Sequence, residues 1–144
     1  MMKFFLLFSL SLLTSHFIVA QITNKQAVSL ILDTDIGPDY DDVGAIAVMH
    51  ALADRGEVKP LAVISSNKNG LTVPVIDVLN TYFGRPDLAS GVPKGVHAPN
   101  FGATQKWPEM LVEKYPHKIK DAADAPDAVQ VYREILAKQP DQSV

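Results

Sequence analysis

Cysteine is absent from the 144 residues. That absence excludes thiolate-ligated zinc, iron–sulfur clusters, thiol nucleophiles and CxxC redox chemistry. Positive charge is in deficit: 13 Lys and Arg face 16 Asp and Glu, for a formal charge of −3 and a pI near 5.7. No basic surface is therefore on offer to neutralise nucleic-acid phosphates, and a nucleic-acid polymer is not an expected partner. Aromatics are sparse, at 8% with one Trp, while the 47% hydrophobic content is that of one ordinary globular unit. There are no internal repeats and no low-complexity segments. Chemistry has to come from carboxylates, His, amides or hydroxyls.

A long apolar run occurs once, at the start. Met1-Met2-Lys3 forms a short positive region, Phe4 to Leu13 is apolar apart from Ser9 and Ser11, and Ile18-Val19-Ala20 precedes Gln21 as a cleavage site. Residues 1–20 thus read as a signal peptide, and the protein as exported, periplasmic or secreted. The run is shorter than the roughly 20 residues a bilayer span needs, and Ser15 and His16 interrupt its continuation. No stable membrane anchor is expected after cleavage, and no Cys follows the run for lipidation. The mature chain from Gln21 gains no disulfide support and depends on its core.

The mature chain alternates. Val28 to Asp33 is an apolar, β-prone run that stops in Asp and Gly, as a buried strand feeding a loop does. Asp41 and Asp42 open a stretch in which Val43, Ile46, Ala47, His50 and Ala51 recur at helical spacing, up to Gly56. Leu61 to Ser65 reads as a second buried strand. Thr72 is placed to cap a helix carrying Pro74 in its first turn and ending at Gly84. A short third strand falls around Leu88 to Val92. Pro93 to Lys106 is a Gly/Pro-punctuated loop long enough to belong to a site. Trp107 to Tyr115 reads as a short helix, and Asp124-Ala125-Pro126 opens another, with Ala128, Val131, Tyr132, Ile135 and Leu136 on one stripe. The expected fold is α/β: an open, mostly parallel sheet with flanking helices. Ser143-Val144 reads as the first step of a further strand, so residues 21–144 are expected to be the N-terminal part of a single, longer domain.

The chemistry concentrates after the first strand. Asp33-Thr34-Asp35-Ile36-Gly37-Pro38-Asp39-Tyr40-Asp41-Asp42 packs five carboxylates into ten residues. Such a cluster repels itself unless some groups protonate, splay into solvent or share a cation. Oxygen-only donors on a Gly/Pro loop suit a hard ion such as Ca²⁺. The carboxyl end of a parallel strand is also where open α/β sheets bind ligands. Helix capping by Asp41 and Asp42 accounts for two of the five at most. An EF-hand does not fit, because its sixth and twelfth positions counted from Asp33 hold Pro38 and Gly44. A haloacid-dehalogenase-like phosphohydrolase would use Asp33 as nucleophile and Asp35 as acid/base with Mg²⁺, and Ser65 or Ser66 on phosphate, but Gly37 stands where that pattern has Thr or Val.

The run Leu30-Ile31-Leu32-Asp33-Thr34-Asp35-Ile36-Gly37, followed by Asp41-Asp42-Val43-Gly44-Ala45-Ile46-Ala47, resembles the N-terminal signature of the inosine/uridine-preferring nucleoside hydrolase family. Leu61-Ala62-Val63-Ile64-Ser65 and Asn69 resemble its second strand and Asn-bearing loop. The resemblance is close in the Asp loop and loose elsewhere. It implies a Rossmann-like core and calcium-assisted hydrolysis of the N-glycosidic bond of ribonucleosides, giving ribose and free base. Matched by position, it implies Asp35 and Asp42 as Ca²⁺ ligands, with Asp35 also taking the proton of the metal-bound water. Asp41 would hold a ribose hydroxyl, Asp33 would orient the loop, and Asn69 would lie near the sugar. The family's spacing from Gly to the Asp-Asp pair is two residues shorter, so Asp39 and Asp41 both stay candidates for the ribose contact. The remaining ligands and the leaving-group histidine belong to a C-terminal half, as family members run to about twice this length. This chain alone is accordingly expected to be inactive. A non-catalytic Ca²⁺-dependent nucleoside- or sugar-binding module is the further alternative, and a homo-oligomer of the full-length chain is left open.

Other residues have plainer readings. His50 lies on an apolar helix stripe and reads as structural, His97 as a surface residue, and Trp107 as an anchor of its loop. Asn67 and Asn69 end a strand on the same edge as the Asp loop, so either could reach a ligand. Lys114, Lys118 and Lys120 read as a solvated face.

Overall fold

A computed structural model describes residues 26–144; the signal-peptide reading of residues 1–20 lies outside the described residues. The apolar run Val28–Thr34 is a strand, β1, and Val58–Ser65 is β2. Between them runs α1, Asp41–Asp54, and after them α2, Thr72–Tyr82, leads to β3, Ala89–Gly91. Two further helices follow, α3 at Trp107–Lys114 and α4 at Ala128–Leu136, with a 3₁₀ turn at Ala122–Asp124 between them. The strands form one parallel sheet in the order β1-β2-β3. The molecule is thus α/β with an open three-stranded parallel sheet and flanking helices. No helix among the described residues is long and apolar enough to cross a membrane.

Period-two alternation assigns each strand residue to a face. Leu30, Leu32 and Val63 face one side, where Ile46 and Met49 of α1, Val75, Ile76 and Leu79 of α2, and Trp107 of α3 close the larger core. Ile31, Ala62, Ile64 and Ala89 face the other side, against Ala128, Val131, Tyr132 and Ile135 of α4. Gly91 eases that second layer: a Cβ there would lie 3.0 Å from Ala128 Cα, tighter than nearly all such contacts, and against backbone that cannot readily give way.

The structure corrects several element boundaries. β2 begins three residues before Leu61 and takes in Pro60, which its missing N–H would normally keep out of a central strand. The register shifts by one residue there, with Leu30 opposite Pro60 and Ile31 opposite Ala62. β3 pairs only with Ala62 to Ile64, so no ladder bond is asked of Pro60 from that side. Thr72 does not cap α2. It lies inside the first turn, and its hydroxyl donates to the Asn67 and Asn69 carbonyls at 3.0 and 2.9 Å. α4 is opened by Asp127, whose carboxylate accepts from the Val129 and Gln130 amides, and Asp124 closes the 3₁₀ turn before it. Among the described residues β1 pairs on one side only, so a run that reads as a buried strand is half-buried, with Val28 57% exposed.

Candidate functional site

The five aspartates divide at the end of β1. Asp33 shares a face with Ile31 and so turns toward α4, where the Tyr132 hydroxyl donates to its Oδ2 at 2.7 Å. Burial, and then the Asp33 carboxylate, push the Tyr132 hydroxyl up to about 12. Thr34 turns to the opposite face and is buried. Its Oγ1 accepts from the Ile36 amide at 3.1 Å, and the hydroxyl lies on the Asp42 side, where it favours the ionised form of that carboxyl. Gly37, at φ 141°, then takes a backbone conformation that only glycine adopts readily and redirects the chain toward α1.

α1 starts at Asp41 without a side-chain cap; Tyr40 precedes it, and Asp41 and Asp42 occupy the first turn. The helix dipole favours negative charge there, yet the local concentration exceeds what a dipole offsets. Asp39, Asp41 and Asp42 each bring one oxygen within 4.8 Å of the others. A hydrogen bond shared with Asp41, and then the Asp41 charge, hold the Asp39 carboxyl above its usual range, with Asp35 adding to the effect. Burial raises Asp42 as well, opposed by the Thr34 hydroxyl and reinforced by the charges of Asp35 and Asp41. Four carboxylates therefore share one electrostatic neighbourhood, from which Asp33 stands apart. Crowded, acceptor-only oxygens on an open loop can take a hard divalent cation or the hydroxyls of a polyol.

The loops after β2 and β3 complete the surroundings. Asn67 follows β2 and is fully buried. Its Nδ2 donates to the carbonyls of Phe101 at 2.7 Å, Asp35 at 3.3 Å and Ile36 at 3.5 Å. Its Oδ1 accepts from the amides of Asn69 at 3.1 Å and Phe101 at 3.2 Å. Asn69, half-buried, accepts from the Leu71 amide and borders a cavity of about 60 Å³ with Gly37, Gly102 and Glu109, which none of the five aspartates lines. Tyr40 packs on Trp107 with ring centroids 5.5 Å apart, and its hydroxyl bonds Gln105 of the long loop. Trp107 is buried in the larger core, and His97 is exposed. Lys114, Lys118 and Lys120 are exposed, with Lys118 paired to Asp87.

Two residues of this region lie outside the sequence-based candidates. Thr34, between two aspartates, is read as a spacer until strand alternation is applied, which sends it and not Asp33 to the Asp42 side. Tyr132 reads as one more apolar stripe position, and nothing in its spacing announces a partner 99 residues away. Comparison of the chain with protein-family models, curated proteins and solved structures gives no match.

Proposed function

We propose that the loop after β1 is a Ca²⁺-dependent, ribose-recognising site of the nucleoside hydrolase type, serving cleavage of ribonucleosides to ribose and free base. The observation that carries this reading is the gathering of Asp39, Asp41 and Asp42 beyond the carboxyl end of a parallel strand, with the Asp35 charge beside them, Asp39 held toward the protonated state by Asp41 and Asp42 by burial and then by its neighbours' charges. A cluster held against its own repulsion gains free energy from a divalent cation, and its oxygen-only donors fit Ca²⁺.

Asp35 and Asp42 would hold the ion, with Asp39 or Asp41 in reach of it. A bound Ca²⁺ supplies positive charge that orients and acidifies water. The chain's own groups supply the rest. Asp35 accepts the proton of the attacking water. Asp39 or Asp41 would accept hydrogen bonds from the ribose diol, and Asn69 would lie near the sugar. The remaining negative charge favours a sugar ring that turns oxocarbenium-like as the base leaves. The resemblance assigns the further ligand and the leaving-group acid to residues outside these 144, so binding of cation and ribose is proposed for this chain and turnover for a longer one. The phosphohydrolase alternative draws less support, because the nucleophile it needs, Asp33, is engaged by Tyr132 and stands apart from the cluster.

Calcium titration by calorimetry tests the reading. Wild type is expected to bind Ca²⁺ and the Asp35→Ala/Asp42→Ala protein to lose binding, with free base released from ribonucleosides by a version extended past Val144. Absence of binding in wild type overturns it. Preferential Mg²⁺ binding with cleavage of a phosphate ester would move the assignment to Asp33 and Asp35 as a phosphohydrolase pair.

A further inference from the structure

Asn67 is polar, fully buried and without a role in the chemistry just described, yet one amide group reaches three separate loops. Its Nδ2 meets the Asp35 and Ile36 carbonyls of the carboxylate loop and the Phe101 carbonyl of the long loop. Its Oδ1 meets the Asn69 amide of its own loop and the Phe101 amide. The residue itself is fixed from below. The Ser65 hydroxyl donates to the Asn67 carbonyl at 2.7 Å and accepts from its amide at 3.1 Å, and Thr72 of α2 donates to the same carbonyl. Two rigid elements, the end of β2 and the start of α2, thus hold the amide that holds the loops. Gly37 lies against it: a Cβ at that position would come within 3.4 Å of Asn67 Nδ2. No other residue type presents two donors and an acceptor of that length in one plane, since Asp lacks the donors and Gln is longer by a methylene.

We propose that Asn67 is a positioning residue, a clamp that makes the carboxylate loop, the Asn69 loop and the Phe101 segment move as one unit. Its bonds to the Asp35 and Ile36 carbonyls set where the Asp35 carboxylate stands relative to Asp39 and Asp42. Its bonds to Asn69 and Phe101 hold the two neighbouring loops against that carboxylate loop. The clamp itself rests on hydrogen bonds alone; its consequence for cation affinity rests on the proposed Ca²⁺ reading.

Amide hydrogen exchange combined with calcium titration separates the two. In wild type the Asn69 and Phe101 amides, both bound to Asn67 Oδ1, are expected to exchange through a common opening with matched protection. Independent exchange of the two overturns the clamp without any variant being made. Asn67→Ala is expected to release both amides together and to lower Ca²⁺ affinity by about 10- to 100-fold, the usual range for a group that orients a ligand, while amides inside α1 and α2 keep their protection. Asn67→Asp keeps the acceptor and loses the donors. In that protein Asn69 and Phe101 should stay protected while the Ile36 amide, bound to Thr34 Oγ1 in the same loop, exchanges faster. A residue that merely fills space would not separate the two arms. Unchanged Ile36 exchange in both variants overturns the proposal. If wild type binds no Ca²⁺, the cation reading falls and the exchange pattern still decides the clamp.

Discussion

Arg85 has only hydrogen-bond donors to offer, and its Nη1 lies 3.3 Å from His50 Nδ1. Nδ1 therefore accepts, and Nε2 carries the proton and donates to Asn80 Oδ1 at 3.0 Å. The ring is fully buried and stacked on Phe83, 4.8 Å between centroids. Burial drives the imidazole below its ordinary value of 6.5; the Asn80 hydrogen bond opposes this, the Arg85 charge adds to it, and Asp54, paired to Arg85 at 2.5 Å, partly offsets it. The sign of the linkage follows. Because the folded value is depressed, the stability His50 contributes is present above about pH 6.5 and is lost as pH falls through the folded value, where a second proton would face a guanidinium. Urea unfolding between pH 6.5 and about 5, above the main carboxylate range, should show a falling midpoint in wild type and a flatter one in His50→Gln. Parallel pH curves for the two proteins would remove His50 as the acid-sensitive group. The apolar stripe that holds His50 makes its burial legible in the sequence; its tautomer needs Arg85, 35 residues away.

At the scale of elements, α2 is the anchor of the fold. Every residue from Thr72 to Asn80 is buried, because α1 and α3 cover the sides that the sheet does not. One of those residues is charged. Asp77 accepts from the Lys118 and Ile119 amides at 2.5 and 2.8 Å and so ties the segment after α3 to the helix. Asp77→Ala would leave two part-buried amides without their carboxylate partner, and we expect a loss of about 1–2 kcal/mol in urea unfolding, with Asp77→Asn between wild type and Asp77→Ala. A change under about 0.5 kcal/mol would assign the tether to other contacts. The same helix marks the limit of sequence reading. Pro74 in the first turn and Gly84 just past the end locate α2 in the sequence, because these two residues punctuate a helix whatever packs around it. Thr72 was misplaced as a cap, since its hydroxyl serves carbonyls of a loop whose path no local pattern encodes. Asp124 and Asp127 compete in the same way for the start of α4, and the choice falls to Asp127 because Val92 exchanges backbone bonds with Pro126 and Ala128, fixing that stretch on the sheet. At the site, the crowding of carboxylates is legible in the local sequence, as five Asp in the ten residues from Asp33 to Asp42. The separation of Asp33 from the other four follows from strand alternation once α4 is known to cover that face.

For the whole molecule, the carboxylate loop sits at a joint: it links β1, which borders both cores, to α1, which closes the larger one. Repulsion at that joint acts against the native state, and a cation that binds only the native state acts for it. Asp39 and Asp42 have raised folded values, so in the ion-free protein their contribution favours the fold below the ordinary carboxylate value of 3.8 and is lost as pH rises through the folded values. At neutral pH the ion-free fold bears the full repulsion. Calcium at 100 times its dissociation constant would add about 2.7 kcal/mol, which for a domain of this size corresponds to a Tm increase of about 10 °C. Differential scanning fluorimetry with and without Ca²⁺ should show that increase at pH 7, and it should shrink as pH is lowered toward the carboxylate range, where protons compete for the same oxygens. In the Asp35→Ala/Asp42→Ala protein the Ca²⁺ effect should vanish, while the ion-free Tm should rise at pH 7 because two of the four charges are gone. A double variant that is less stable than ion-free wild type, together with a wild type indifferent to Ca²⁺, would mean that these carboxylates serve the start of α1 and no ligand.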